Sequence, residues 1–385
     1  MKLISRTLNF SMLATCLAMS AFASAALTVD SQWQLETSSD GSLLSPRHEA
    51  TGIVVGDSLY LLGGRGTRSV ERYSTDTRQW DDLGAAPLEL HHMQAVAIGS
   101  DIYIMGAFTC CYPNEQLVPE IHVFDTTTNT WSVEGTQPLA RLRGSAAAVV
   151  RDEKIYLIGG NTQGHDGGAV AWFDEYDPAT GEWVILADAP NARDHFSAVM
   201  VEDRLVAAGG RQTRLPSPSA NPVLATDVYD FTSGQWSSGA DIPTGRGGVM
   251  TITYDGHVIV AGGEINTSID ALRVVEAYDV DTDSWQTLPP MTVGRHGGGG
   301  GLVDSRFYAM SGSTTIGGSP TSESNTIENL SLPELRVPDE VPGEVPGEVP
   351  GVDTPRSKSG AVTLLLLPLL AVVGLLRRQG RKRHR

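Results

Sequence analysis

The chain has 385 residues, 42 Gly and 21 Pro among them, with 41% hydrophobic and only 6% aromatic residues and a formal charge of -17. So much Gly and Pro between runs of Val, Thr, Tyr and Trp disfavours helix-rich classes and favours an all-β chain with many turns. Both ends are basic and free of acids, so the body between them is strongly polyanionic, which argues against a nucleic-acid partner held through its phosphates.

Residues 1–25 read as a signal peptide. Lys2 and Arg6 precede an apolar stretch that runs to Ala23-Ser24-Ala25, the small residues a signal peptidase reads. The body then spans residues 26–335, and its spacing is that of an array. Diglycine or a near equivalent follows an apolar run six times, at Gly63-Gly64, Gly106-Ala107, Gly159-Gly160, Gly209-Gly210, Gly262-Gly263 and Ser311-Gly312, at intervals of 43 to 53 residues. After each of the first five comes an aromatic and, seven residues later, a Trp: Tyr73/Trp80, Phe124/Trp131, Tyr176/Trp183, Tyr229/Trp236 and Tyr278/Trp285.

These residues resemble kelch repeats, in which an apolar strand ends in Gly-Gly and is followed by Tyr and then Trp, with an Arg opening each unit. The resemblance covers roughly residues 28–332 and implies a six-bladed β-propeller of four-stranded blades. Runs such as Ser58–Leu62 and Lys154–Ile158 are the strands, and diglycine lets the backbone leave them where a side chain would clash. The sixth unit has a strand at Arg306–Met310 and a third-strand candidate at Thr326–Leu330, but no Trp follows. Trp33 is an orphan near the start of the body, so residues 31–36 are expected to supply the outer strand of the last blade and close the ring.

Counting back sixteen residues from each diglycine gives Arg47, Leu90, Arg143, Arg193, Arg246 and Arg295, and the next positions add His48, Glu49, His91, His92, Asp194, His195 and His296. The resemblance puts this register at the mouth of the central channel, beside loops that bring Arg65, Asn161, Arg211 and Glu264. Two readings follow for the arginines: a cationic funnel for an anionic ligand, or braces between blades. Trp172, after the loop Gly164-His165-Asp166-Gly167-Gly168, is either a sugar-stacking platform or a packing residue. Cys110 and Cys111, the only cysteines beyond the signal peptide, either form a vicinal disulfide, stay as thiols or pair between chains. Galactose oxidase shares the propeller architecture and uses copper with two Tyr, two His and a Cys–Tyr crosslink. The cysteine pair beside Tyr112 is not that arrangement, and neither a metal site nor a cofactor is expected.

Glu340-Val-Pro-Gly, repeated through Gly351 within residues 336–359, reads as an extended stalk. Residues 360–376 carry no charge and are followed by Arg377, Arg378, Arg381, Lys382, Arg383 and Arg385 in the tail 377–385, which positive-inside bias keeps cytoplasmic. Ser359-Gly360, the apolar run and the Arg-rich end resemble bacterial GlyGly-CTERM sorting signals, which imply a processing protease and release or surface display. The other reading is a permanent single-span membrane anchor. Together these features make an exported bacterial binding module, with a glycan, an acidic small ligand or a protein as partner. The alternative is an acidic-sugar epimerase or mutarotase, in which the arginines hold a carboxylate and His92, His195 or Glu264 moves protons.

Overall fold

The structure, a computed structural model, describes residues 26–66 and 69–333. The signal segment, stalk, apolar run and basic tail lie outside the described residues. Within them no helix is long and apolar enough to cross a membrane.

Six four-stranded antiparallel sheets form the blades, numbered here in chain order. Blade 1 comprises Ala50–Val55, Ser58–Gly63, Ser69–Ser74 and Gln79–Ala85, and blades 2 to 5 repeat this meander up to Ser284–Leu288. Blade 6 takes Gly299–Val303, Arg306–Met310 and Ile327–Ser331 from the end of the body and its outer strand, Gln34–Glu36, from the beginning. The innermost strand of each blade packs on those of both neighbours, including Ala50–Val55 on Gly299–Val303, so the ring is closed. Apolar side chains fill the six wedges between adjacent blades, which is how sheets that cannot bury both faces alone become stable.

The seven-residue gap has a direct cause. Each aromatic lies opposite its Trp across the outer hairpin, as in Tyr73↔Trp80 and Tyr278↔Trp285, with ring centroids 4.9–5.2 Å apart. In blades 2 to 5 an Asp after the aromatic caps the turn between them: Asp125 accepts from the Thr127 and Thr128 amides, and Asp230 from those of Thr232 and Ser233. The indole nitrogens then tie blade to blade, Trp183 donating to the Thr136 carbonyl, Trp236 to Ala187 and Trp285 to Ala240. Trp33 donates to the Pro289 carbonyl at 3.0 Å and meets Phe307 edge-on at 5.3 Å. It therefore does for blade 6 what the repeat's own Trp does elsewhere, and the expected clasp is present.

Diglycine is explained by close approach. Both residues of the Gly262-Gly263 pair have positive φ, and a Cβ on Gly262 would lie 2.4 Å from the Arg295 carbonyl oxygen. The next amide uses that carbonyl: Gly263 N–H donates to Arg295 O, as Gly160 does to Arg193 O and Gly312 to Arg47 O. Each blade's opening segment is thereby stitched to the blade before it.

Candidate functional site

The five opening arginines do not face the channel. Arg47, Arg143, Arg193, Arg246 and Arg295 are 0–1% exposed, and each guanidinium is used within its own blade. Arg193 donates to the carbonyls of Ala207, Gly209 and Ala225, and Arg246 to those of Thr244, Gly262 and Val260. Each also holds a buried carboxylate from the blade's third strand at 2.5–2.9 Å: Glu71, Asp174, Asp227, Glu276 and Glu328 respectively. Their reading as ligand-binding residues is corrected on this geometry, because guanidiniums buried in the blade interior and held there by carbonyls and a carboxylate do not reach a ligand at the mouth. Trp172 is likewise overlaid by the guanidiniums of Arg141 and Arg143, with centroid distances of 5.0 and 5.7 Å, and does not line the mouth.

Two positions further on, the chain does turn to the axis. Glu49, His92, Ser145, His195, Gly248 and Gly297 occupy this position in blades 1 to 6, and all have φ between +53° and +68°. Glycine adopts this conformation freely, whereas Glu, His and Ser are held in it at about 1–3 kcal/mol each. The six residues form a collar around a cavity of about 70 Å³. Below it Gln94 crosses the channel from blade 2 to blade 4, donating to the Ala198 carbonyl at 2.8 Å and accepting from its amide at 2.9 Å.

Above the collar the loops enclose a mouth of about 810 Å³, lined by His48, Glu49, Arg65, His92, Tyr112, His165, Arg211, Glu264, Glu323 and the segments 216–219 and 316–320. It is not a cationic funnel. Arg211 is paired with Glu264 and Arg65 with Glu115, while Glu49 and Glu323 also face the cavity. His48 Nδ1 lies 2.7 Å from Glu323, and His296 lies between Glu49 and Glu264 at 3.6 and 3.5 Å.

The electrostatics sort these groups. Burial, with the neighbouring His195 and His91, takes His92 well below the usual imidazole pKa; burial and Arg211 lower His195; burial and Arg65 lower His91 to about 4. Burial opposes ionisation of Glu49, Glu115 and Glu264, yet the imidazoles facing Glu49, the His165 and Arg65 pair around Glu115, and the His296 and Arg211 pair around Glu264 hold all three below the carboxylate range. Buried neutral imidazoles thus stand beside ionised carboxylates.

Of the residues singled out in the sequence, the fold brings His48, Glu49, Arg65, His92, Arg211 and Glu264 to the mouth, sets His195 in the collar beneath it and His296 against Glu49 and Glu264, and places His91 beside His92. His165 was seen only as part of a Gly-rich loop. Its ring centroid lies 5.4 Å from that of His92 and 5.3 Å from that of His195, and the three histidines present ligand atoms within 4.8 Å of one another. A metal-capable group therefore exists where no motif announced one. Cys110 and Cys111 are joined to each other in the blade 2 loop, and the Cys110 carbonyl lies 3.0 Å from His91 Nε2. The brace carboxylates were also missed, although each stands two residues before the repeat's aromatic or its equivalent, Leu330. Blade 2, which has Leu90 in place of Arg, has His122 in place of the acid.

The comparisons with known proteins agree with this architecture. The KLHDC2/KLHL20/DRC7 Kelch-repeats domain matches residues 24–187 and 92–312. Kelch-like protein terF of Aspergillus terreus is 30% identical over 302 residues, covering 74% of this chain and 64% of its own length. Kelch-like protein 38 of Mus musculus is 24% identical over 261 residues, covering 66% of this chain and 42% of its own. The chain thus spans under two thirds of the length of these relatives. The solved structure of YjhT superposes with a TM-score of 0.63 at 16% identity, covering 73% of this chain and 94% of that one. Propellers of this kind are typically protein-interaction or binding modules.

Proposed function

The chain belongs to the kelch-repeat family, and from that premise we propose that its body is a binding module for a small, hydroxyl-rich ligand of the glycan class, seated in the mouth of the propeller. The observation that carries the reading is the mouth itself. A cavity of about 810 Å³ falls within the range of small-molecule sites, roughly 300–1,000 Å³. Gln94 closes it below, so a ligand meets a floor rather than a pore.

The lining supports a polar, uncharged ligand over an anion. Its two guanidiniums are already paired with carboxylates, while Glu49, Glu323, His48, Ser217, Ser219 and Asn266 supply donors and acceptors suited to hydroxyl groups. Tyr112, 59% exposed at the rim, supplies an aromatic face of the kind sugars stack on. Sugar isomerisation is the second reading, favoured by neutral His92 and His195 beside ionised Glu49. The export and anchoring read from residues 1–25 and 336–385 belong to the same proposal, which sets the module outside the cell.

A glycan array followed by calorimetry and product analysis of each hit tests the assignment. Ser217 is exposed on the lining, so Ser217→Trp fills the mouth from the solvent side. It is expected to abolish binding of any hit while leaving the melting temperature unchanged. Undiminished binding by that variant moves the site elsewhere.

A further inference from the structure

We propose that His92, His165 and His195 form a binding site for a divalent first-row transition metal of the zinc type. The site goes beyond the ligand reading and stands or falls separately from it.

The argument rests on where each imidazole spends its outer nitrogen. His195 Nδ1 lies 2.5 Å from Asp194 Oδ1, and His165 Nδ1 lies 2.7 Å from Glu115 Oε1. An ionised carboxylate only accepts, so both rings carry a proton on Nδ1, and the neutral form that binds a metal has its lone pair on Nε2. His92 reaches the same state through a relay. The Cys110 carbonyl, 3.0 Å from His91 Nε2, only accepts, so His91 is protonated at Nε2 and accepts at Nδ1. His92 Nδ1, 2.5 Å away, must then be the donor, which leaves a lone pair on His92 Nε2 as well.

Three lone pairs thus face one another without a proton among them. His92 and His195 are 5% and 6% exposed, and their Nε2 atoms are buried with no hydrogen-bond partner. Buried acceptors left this way are costly unless something binds them. A cation meets the need that no neighbouring donor does. The outer contacts, Asp194 on His195 and Glu115 on His165, are the carboxylate–imidazole arrangement that fixes tautomer and ring orientation in metal sites.

Ligand atoms within 4.8 Å of one another would draw in to roughly 3.4 Å around a metal bound at about 2.0–2.1 Å, a movement of side-chain size. The donor set narrows the metal. Imidazole suits Zn, Cu, Fe and Ni and not Mg or Ca. Glu49, whose Oε2 lies 3.4 Å from His92 Nε2, offers an oxygen for a fourth position. His92, His165 and Glu49 all line the mouth, so the site is open to it.

The test uses the full chain, stripped with a chelator and titrated with Zn²⁺ against a chromogenic competitor. One tight equivalent is expected, and X-ray absorption of the zinc-loaded wild type should count three imidazoles. Fewer than three, or no tight equivalent, overturns the site without recourse to any variant. His165→Ala, checked by melting, should lose the tight equivalent, whereas His257→Ala, which changes a histidine on the blade 5 hairpin, should keep it. Asp194→Asn should keep three imidazoles and weaken affinity roughly 10–100-fold, since it removes only the anchoring carboxylate. Wild-type affinity in His165→Ala would overturn the assignment. Metal uptake is read with no organic ligand present, so a failed glycan screen leaves this result untouched, and the reverse.

Discussion

Arg193→Ala is expected to be among the most damaging single changes in the body. The guanidinium is 1% exposed and donates to three carbonyls and to Asp227 Oδ2 at 2.7 Å. Asp227 is 0% exposed and also accepts from Asn191 Nδ2 at 2.7 Å. Removing the arginine leaves a buried carboxylate without its counter-charge and takes a donor from three carbonyls, which places the loss at about 3–5 kcal/mol. For a body of this size that is a fall in Tm of about 5–8 °C. Blade 2 supplies an internal control, because Leu90 and His122 occupy the corresponding positions there without any ion pair. The double variant Arg193→Leu/Asp227→His, which copies blade 2, should recover part of the loss, and urea melts of the two singles and the double give the coupling directly. A melting temperature for Arg193→Ala within 1 °C of wild type, or strict additivity in the double, would refute the brace.

Deleting residues 26–36 should lower the Tm of the whole body, because it removes Trp33 from its place against Phe307 and exposes the edge of Ile327–Ser331; unchanged melts would reject the clasp. Asp125, lowered to about 2 by hydrogen bonds from the Thr127 hydroxyl and amide and then from Thr128, has a folded pKa below its unfolded value. Its contribution to stability is therefore complete above about pH 4 and lost as pH falls through 2, and NMR titration of the carboxyl should give a midpoint well under 3.8 that Thr127→Val raises.

The repeat was legible because its signals sit on periodic backbone. A Tyr–Trp gap of seven fixes a hairpin register, and the orphan Trp33 then follows from counting. The sixteen-residue register also located the mouth, but it gave position along the chain and not direction. At Arg193 the side chain runs back into its own blade, and at His195, two residues on, left-handed backbone turns the side chain to the axis. The brace carboxylates Glu71, Asp174, Asp227, Glu276 and Glu328 could have corrected this in advance, since they recur at a fixed offset and vanish together with the arginine in blade 2. His165 could not have been placed that way. It reaches His92 and His195 only through the local course of the blade 3 loop, where Glu115 from blade 2 grips both its amide and its ring. Non-repeating loops leave no periodic trace.

Blade 6 has a further consequence, for the order in which the chain can mature. Its outer strand, Gln34–Glu36, is made among the first residues of the body and pairs only with Ile327–Ser331, made among the last. Until the ribosome has released that final strand, the opening strand has no strand to pair with and blade 1 lacks its neighbour on one side. Five blades can dock in succession as they emerge, yet the ring has no complete state short of full length. Its slowest contact is the one of greatest sequence separation, whose closure entropy is offset only when Trp33 seats. A chain stalled before residue 327 keeps exposed strand edges at both ends, open to chaperones, to translocation machinery or to another copy of itself.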